Sequence, residues 1–217
     1  MRYILSQRRR RLQSSCRPSR HTRIHTQPAK TTLFAGGKGP GLRAASAAPI
    51  EPVNLLIVRH AIAFDRDRNR WRDDAERPLS PAGIRRARKA AAGLKKFAPR
   101  PDRLLTSPLV RARQTARILT EVAGWPAAEE TPQLSPGEPA LAILELLSRS
   151  RNKLTAVVGH QPDLGHLLGA CLLGGGGALP IEMKKNAVAC VTFAGRPRAG
   201  HAALAWLATP KMLRALR

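Results

Sequence analysis

The chain has 217 residues, 43% of them hydrophobic, and no apolar run approaches the ~20 residues of a membrane-spanning helix. This excludes a wholly disordered chain and a helical membrane protein, and predicts one soluble domain with an appendage. The net charge of +24 attracts anions, whether nucleic acid, anionic lipid or phosphorylated partner, without choosing among them.

Residues 1–52 carry 11 Lys/Arg against the single acid Glu51, with a tetra-arginine run at Arg8–Arg11 and a Gly/Pro stretch from Gly36 to Gly41. No period of two or 3.6 runs through them, so they read as a disordered basic extension. No apolar core follows the basic residues, which argues against a secretory signal. The Arg- and Ser-rich, acid-poor composition fits an organellar transit peptide, and an upstream start fits equally. The expected location is cytoplasmic, or an organelle if the extension is a transit peptide. Of the cysteines, Cys16 falls in the extension, whereas Cys171 and Cys190 sit in apolar runs and read as core residues.

From residue 53 to residue 217 the texture becomes that of a folded domain. Val53–Val58 is a buried strand, too short and too β-branched for a helix. Ser80-Pro81 opens a helix that Pro99 ends, with Ile84, Ala87, Ala91 and Leu94 on its apolar face. Arg103–Thr106 is a short strand, and Ser107-Pro108 repeats the capping chemistry before a helix through Val122. Pro139–Leu147 is a third helix, Leu154–Gly159 a fully apolar strand, and Asp163–Leu173 a fourth helix. Gly174–Gly177 is a loop. Ala187–Phe193 and Ala202–Leu207 read as a closing hairpin. Strands alternating with helices predict an α/β fold, a three-layer αβα sandwich on a mainly parallel sheet.

Three strands run into polar residues at their carboxyl ends, where open α/β sheets hold their ligands. They bring Arg59 and His60, then Ser107 to Arg111, then His160. A neutral imidazole is a competent nucleophile near pH 7, and arginine forks match phosphoryl oxygens bidentately. That inventory suits phosphoryl transfer. His60 and His160 have no carboxylate or cysteine cluster to complete a metal site, so neither a metal nor another cofactor is expected.

Four motifs then stand in one order: Arg59-His60-Ala61 after a strand, Arg77-Pro78-Leu79-Ser80-Pro81-Ala82-Gly83, Ser107-Pro108-Leu109-Val110-Arg111-Ala112-Arg113-Gln114-Thr115-Ala116, and Val158-Gly159-His160-Gln161-Pro162. Together they resemble the histidine phosphatase superfamily, most closely its SixA-type phosphohistidine phosphatases, from about Val53 to Leu207. The resemblance implies a phosphoglycerate mutase-like fold and a phosphohistidine intermediate on His60. It also implies a clamp of Arg59, Arg111 and His160 on the phosphoryl oxygens, with Arg77 lining the substrate entrance. Arg77 pairing with Asp73 or Asp74 is the competing expectation.

Two departures bear on this. Ala61 stands where the family usually has Gly. No motif assigns a general acid: Gln133 occupies a position where relatives often carry Glu, and Asp65 is a weak stand-in. An imidazole leaves more readily than an alkoxide, which tilts the expected substrate toward protein phosphohistidine. The alternatives are small sugar or nucleotide phosphomonoesters, and a nucleic-acid-binding protein on an inactive phosphatase fold. Aromatics at 4% and the absence of a recognition motif argue against a nucleic-acid partner.

Overall fold

The computed structural model describes residues 51–175 and 181–217. The basic extension, except Glu51 and Pro52, and the loop residues Gly176 and Gly177 lie outside them. Strand β1 (Val53–Arg59) is followed by helix α1 (Pro81–Phe97), β2 (Arg103–Thr106), α2 (Val110–Ile118) and β3 (Ala128–Glu130). Then come α3 (Ala140–Ser148), β4 (Leu154–Gly159), α4 (Asp163–Leu173), β5 (Val188–Phe193), β6 (Ala202–Ala208) and α5 (Pro210–Ala215).

The six strands form one sheet in the order β3-β2-β4-β1-β5-β6. The first four are parallel, and β5 and β6 join antiparallel. Side chains alternate across the sheet, so β1 feeds two cores. Leu56 and Val58 pack with Ala87, Leu94 and Leu213 on the face covered by α1, α2 and α5. Leu55 and Ile57 pack with Ile143, Leu164 and Leu168 on the face covered by α3 and α4. All four β1 residues are at most 2% exposed, which is why their segment reads as an unbroken apolar run. The expected three-layer sandwich is therefore the architecture.

Local chemistry sets the helix ends. Ser80 Oγ accepts the Gly83 N–H at 3.0 Å and Pro81 occupies the first turn of α1. Ser107-Pro108 does not act in the same way. Helix α2 begins two residues later, at Val110, because the Ser107 hydroxyl turns toward His160. A π turn, Leu119–Ala123, continues it to Gly124, whose φ of 73° ends it. Two elements carry no sequence expectation. Strand β3 (Ala-Glu-Glu) is three exposed edge residues, and α5 starts on a Thr209-Pro210 cap, with Thr209 Oγ1 accepting the Met212 N–H.

Helices α1 and α5 meet through Gly93, where a Cβ would lie 1.7 Å from the Leu213 carbonyl oxygen. Backbone cannot yield as a side-chain tip can, so Gly93→Ala should force the helices apart and cost about 1–3 kcal/mol. Urea unfolding checks this, and an unchanged midpoint would contradict the packing.

Candidate active site

The sheet order assembles the site. Strand β4 lies between β2 and β1, all three parallel, so their carboxyl ends stand side by side. Two bonds carry the ladder past the strands: His60 N–H donates to Gly159 C=O at 3.0 Å, and Ser107 N–H to Val158 C=O at 3.0 Å. The rings of His60 and His160 come to rest 5.0 Å apart, centre to centre. Both side chains are buried, at 6% and 4% exposure.

His60 Nδ1 lies 2.7 Å from the Ala61 carbonyl oxygen. A carbonyl can only accept, so Nδ1 carries the proton and Nε2 keeps its lone pair. Ala61 is itself anchored: its N–H donates to Thr115 Oγ1 at 3.0 Å, and the Thr115 hydroxyl donates to Arg111 C=O at 2.7 Å. Helix α2 and the loop after β1 are thereby tied together.

The Leu79-Ser80-Pro81-Ala82-Gly83 motif fastens the same loop from the other side. Ser80 N–H donates to Ile62 C=O at 3.0 Å, and Leu79 N–H to Gln114 Oε1 at 2.7 Å. Gly83 lets α1 approach, since a Cβ there would sit 1.9 Å from the Ile62 oxygen. This motif does not reach the histidines. It holds the loop that does.

Arg59 donates from Nη1 to Met183 C=O at 2.6 Å, and Arg111 from Nη1 to Asp74 C=O at 2.8 Å. Asp74, in a short turn at Asp74–Glu76, is the carboxylate at the centre of the arginines. It lies 3.2 Å from Arg111 Nη2, 2.8 Å from Arg77 Nε and 3.6 Å from Arg66 Nε. Bonding to Arg77, reinforced by the charges of Arg111 and Arg66, holds its carboxyl below the usual range. Arg77 spends its nitrogens on Asp74 and on the Phe64 carbonyl, so the Asp74 pairing is the one that forms. Its side chain also borders a concavity of about 470 Å3 with Arg66, Arg68 and Trp71. Asp65 is exposed and has no hydrogen bond or ion pair to a site residue among the described residues.

Among the described residues, four buried side-chain polar atoms have no hydrogen-bond partner: Arg59 Nε, Arg111 Nε, His160 Nδ1 and Gln161 Oε1. Native proteins leave few such atoms, and exceptions concentrate where ligands bind. Three of the four belong to the side chains that the resemblance assigns to the phosphoryl clamp. Grouped nitrogen donors of this kind suit an oxyanion.

Burial pushes both imidazoles down to about 3. For His60 the Arg111, Arg59 and Lys185 charges add to burial while the Ala61 bond opposes it; for His160 burial is followed by His60 and Arg111. Both rings are thus neutral at pH 7. His166 is exposed on α4, although its apolar surroundings in sequence suggest packing. Cys171 and Cys190 are buried as expected, and burial raises the Cys171 thiol to about 12.

A phosphoglycerate mutase-like fold, with two neutral histidines among buried arginines at the carboxyl edge of its sheet, defines a class of phosphatases. The model of the histidine phosphatase superfamily (branch 1) matches residues 55–135. Phosphohistidine phosphatase SixA of Escherichia coli is 30% identical over 172 residues, covering 76% of this chain and 100% of that protein. An uncharacterised protein of Picosynechococcus sp. is 36% identical over 125 residues, 56% of this chain and 74% of that one. The structure of the protein histidine phosphatase SixA complexed with tungstate superposes with a TM-score of 0.64 at 26% identity, over 73% of this chain and 98% of that one. The chain belongs to the histidine phosphatase superfamily and is a SixA-like phosphatase.

Neutral buried histidines make stability depend on pH. The folded-state values lie below the unfolded ~6.5. As pH falls below 6.5 the unfolded chain therefore takes up protons that the folded chain refuses, and stability is lost. Between pH 6.5 and 5, above the range of the paired carboxylates, urea unfolding should show a loss of up to about 1.4 kcal/mol per pH unit for each histidine. The double variant His60→Asn/His160→Asn should flatten that slope. An unchanged slope would mean that the rings are not held neutral.

Proposed function

We propose that the protein hydrolyses protein phosphohistidine through a covalent phosphoryl intermediate on His60 Nε2, and that residues 53–217 form the catalytic domain. The observation that carries this reading is the set of unpartnered buried donors, Arg59 Nε, Arg111 Nε and His160 Nδ1, beside a neutral imidazole with a free Nε2 lone pair. The similarity to phosphohistidine phosphatase SixA supports the substrate class.

In the first step His60 Nε2 attacks phosphorus, the new N–P bond forms and the bond to the substrate imidazole breaks. Arg59 and Arg111 neutralise the oxygens, whose charge is spread in such transition states. The Ser107 hydroxyl accepts the Leu109 N–H at 3.3 Å and lies 2.8 Å from His160 Nε2. In the proposed mechanism it donates to Nε2, so that the His160 proton sits on Nδ1 and serves a phosphoryl oxygen. The bound dianion favours protonation of His160, strengthening the clamp as charge arrives. In the second step water attacks phosphorus, the His60–phosphorus bond breaks, orthophosphate leaves and Nε2 regains its lone pair.

The substrate class follows from what the site offers the leaving group. Asp74 is the carboxylate among the arginines, and they hold it ionised, a poor source of a proton. A departing imidazole protonated on its distal nitrogen leaves as a neutral base and takes no proton from the enzyme. An alkoxide has no such route. Arg77 acts through Asp74 as a positioning residue for Arg111.

His60→Ala should abolish the acid-labile phosphoenzyme and lower turnover at least about a thousandfold, while EDTA leaves the wild type active. Full turnover by that variant would refute the intermediate. Phosphohistidine peptides set against sugar and nucleotide phosphomonoesters test the substrate. A wide preference for the monoesters would refute the phosphohistidine assignment and leave His60 in place.

A further inference from the structure

A second concavity, of about 610 Å3, opens where Arg59 emerges from the site. Arg59 is one of its lining residues. Arg86 of α1, Lys184 and Lys185 ahead of β5, and Lys211 and Arg214 of α5 line it too, against a single carboxylate, Glu182. Arg59 links the groove to the site, and the Lys185 charge is felt by His60.

These charges are uncompensated. Among the described residues, none of Arg86, Lys184, Lys185, Lys211 or Arg214 lies within 4.0 Å of a carboxylate. Residues 1–50 and 176–180 contain no Asp or Glu, so they hold no acidic side chain to pair with them. Other cations of the domain, such as Arg85, Lys89 and Lys95, are unpaired too among the described residues; what sets the groove apart is that its five line one concavity with Arg59. Where carboxylates are present, cations pair with them. Arg88 and Arg117 share Glu121, Arg103 pairs with Glu129, and the concavity beside Arg77 contains Asp67 and Asp74. Five unpaired cations gathered from three elements, next to a phosphoryl-transfer site, mark an anionic ligand.

The kind of cation narrows the ligand. A second phosphate is read by buried arginine forks of fixed geometry. Here, beyond Arg59, three of the five cations are exposed lysines on flexible stems and Arg86 is exposed as well, which suits carboxylates at variable positions. Single-stranded nucleic acid would call for aromatic stacking platforms, and no aromatic residue lines the groove.

We propose that this groove docks an acidic segment of the phosphorylated partner protein while its phosphohistidine enters the site. The proposal rests on the phosphohistidine reading above and names the surface that the partner must present.

The test uses the full-length protein and two phosphohistidine peptides of equal length, one flanked by Asp/Glu and one by Ser/Gly. At low salt the wild type should hydrolyse the acidic peptide with a kcat/KM higher by roughly tenfold or more, mostly through KM. Added salt should erode the difference. The double variant Lys184→Glu/Lys211→Glu should abolish the preference yet keep hydrolysis of the neutral peptide and of phosphoramidate within about twofold of wild type. The neutral substrates thus report that the variant is folded. Equal kcat/KM for the two peptides in the wild type, or an equal fall for both in the variant, would overturn the docking surface. So would a single-stranded oligonucleotide that inhibits acidic-peptide hydrolysis more strongly than poly-glutamate of equal charge, since the groove would then serve nucleic acid. Failure to hydrolyse the neutral peptide, with phosphomonoesters still turned over, would sink the phosphohistidine reading itself and the docking with it.

Discussion

Arg111 is only 4% exposed, and a guanidinium so far out of water requires negative charge and hydrogen-bond acceptors around it. Within the protein it receives one carboxylate, Asp74, which it shares with Arg77 and Arg66. Much of the site answers to this constraint. The turn at Asp74–Glu76 exists where its carboxylate and carbonyl both reach Arg111. Arg77 is buried because it fixes Asp74, and the imidazoles are driven neutral by burial and by the cations around them. A neutral nucleophile is the form that phosphoryl transfer to His60 would need, so the electrostatics of the site prepare it.

The legible parts of the chain were those whose signal is local. Leu55 to Val58 and Leu154 to Gly159 are central strands covered on both faces, and unbroken apolar runs are what such burial requires. Ser80-Pro81 stated the start of α1 correctly because its hydroxyl has no stronger partner than Gly83. Ser107-Pro108 carries the same dipeptide, yet its hydroxyl is engaged by His160 from 53 residues away, and α2 begins later for that reason. Strand β3 gave no warning because two paired glutamates on an edge look like a loop. The Thr209-Pro210 cap of α5 was readable by the rule applied at Ser80.

The site divides in the same way. His60, Arg59, Arg111 and His160 stand out through motifs at strand ends, and the sheet order brings those ends together. Asp74 stood out only as one of two candidate partners of Arg77, and nothing in Arg72-Asp73-Asp74-Ala75-Glu76 announces its contact with Arg111, 37 residues on. Thr115 was present in a quoted motif, but its link between Ala61 and Arg111 exists only in three dimensions. The motifs mix residues that face the site with others that hold its walls, and sequence alone does not separate the two.

The three unsatisfied nitrogens on Arg59, Arg111 and His160 also alter what a melting curve measures. An anion that satisfies them binds the folded chain and not the unfolded one, so it raises apparent stability by RT ln(1 + [L]/Kd), about 2.7 kcal/mol at a hundredfold excess over Kd. On the function proposed above, inorganic phosphate and its mimics would be such anions. The choice of buffer would then be a thermodynamic variable. A transition temperature taken in phosphate reports occupancy as well as folding, and comparisons between variants of the arginines hold only at a stated anion concentration.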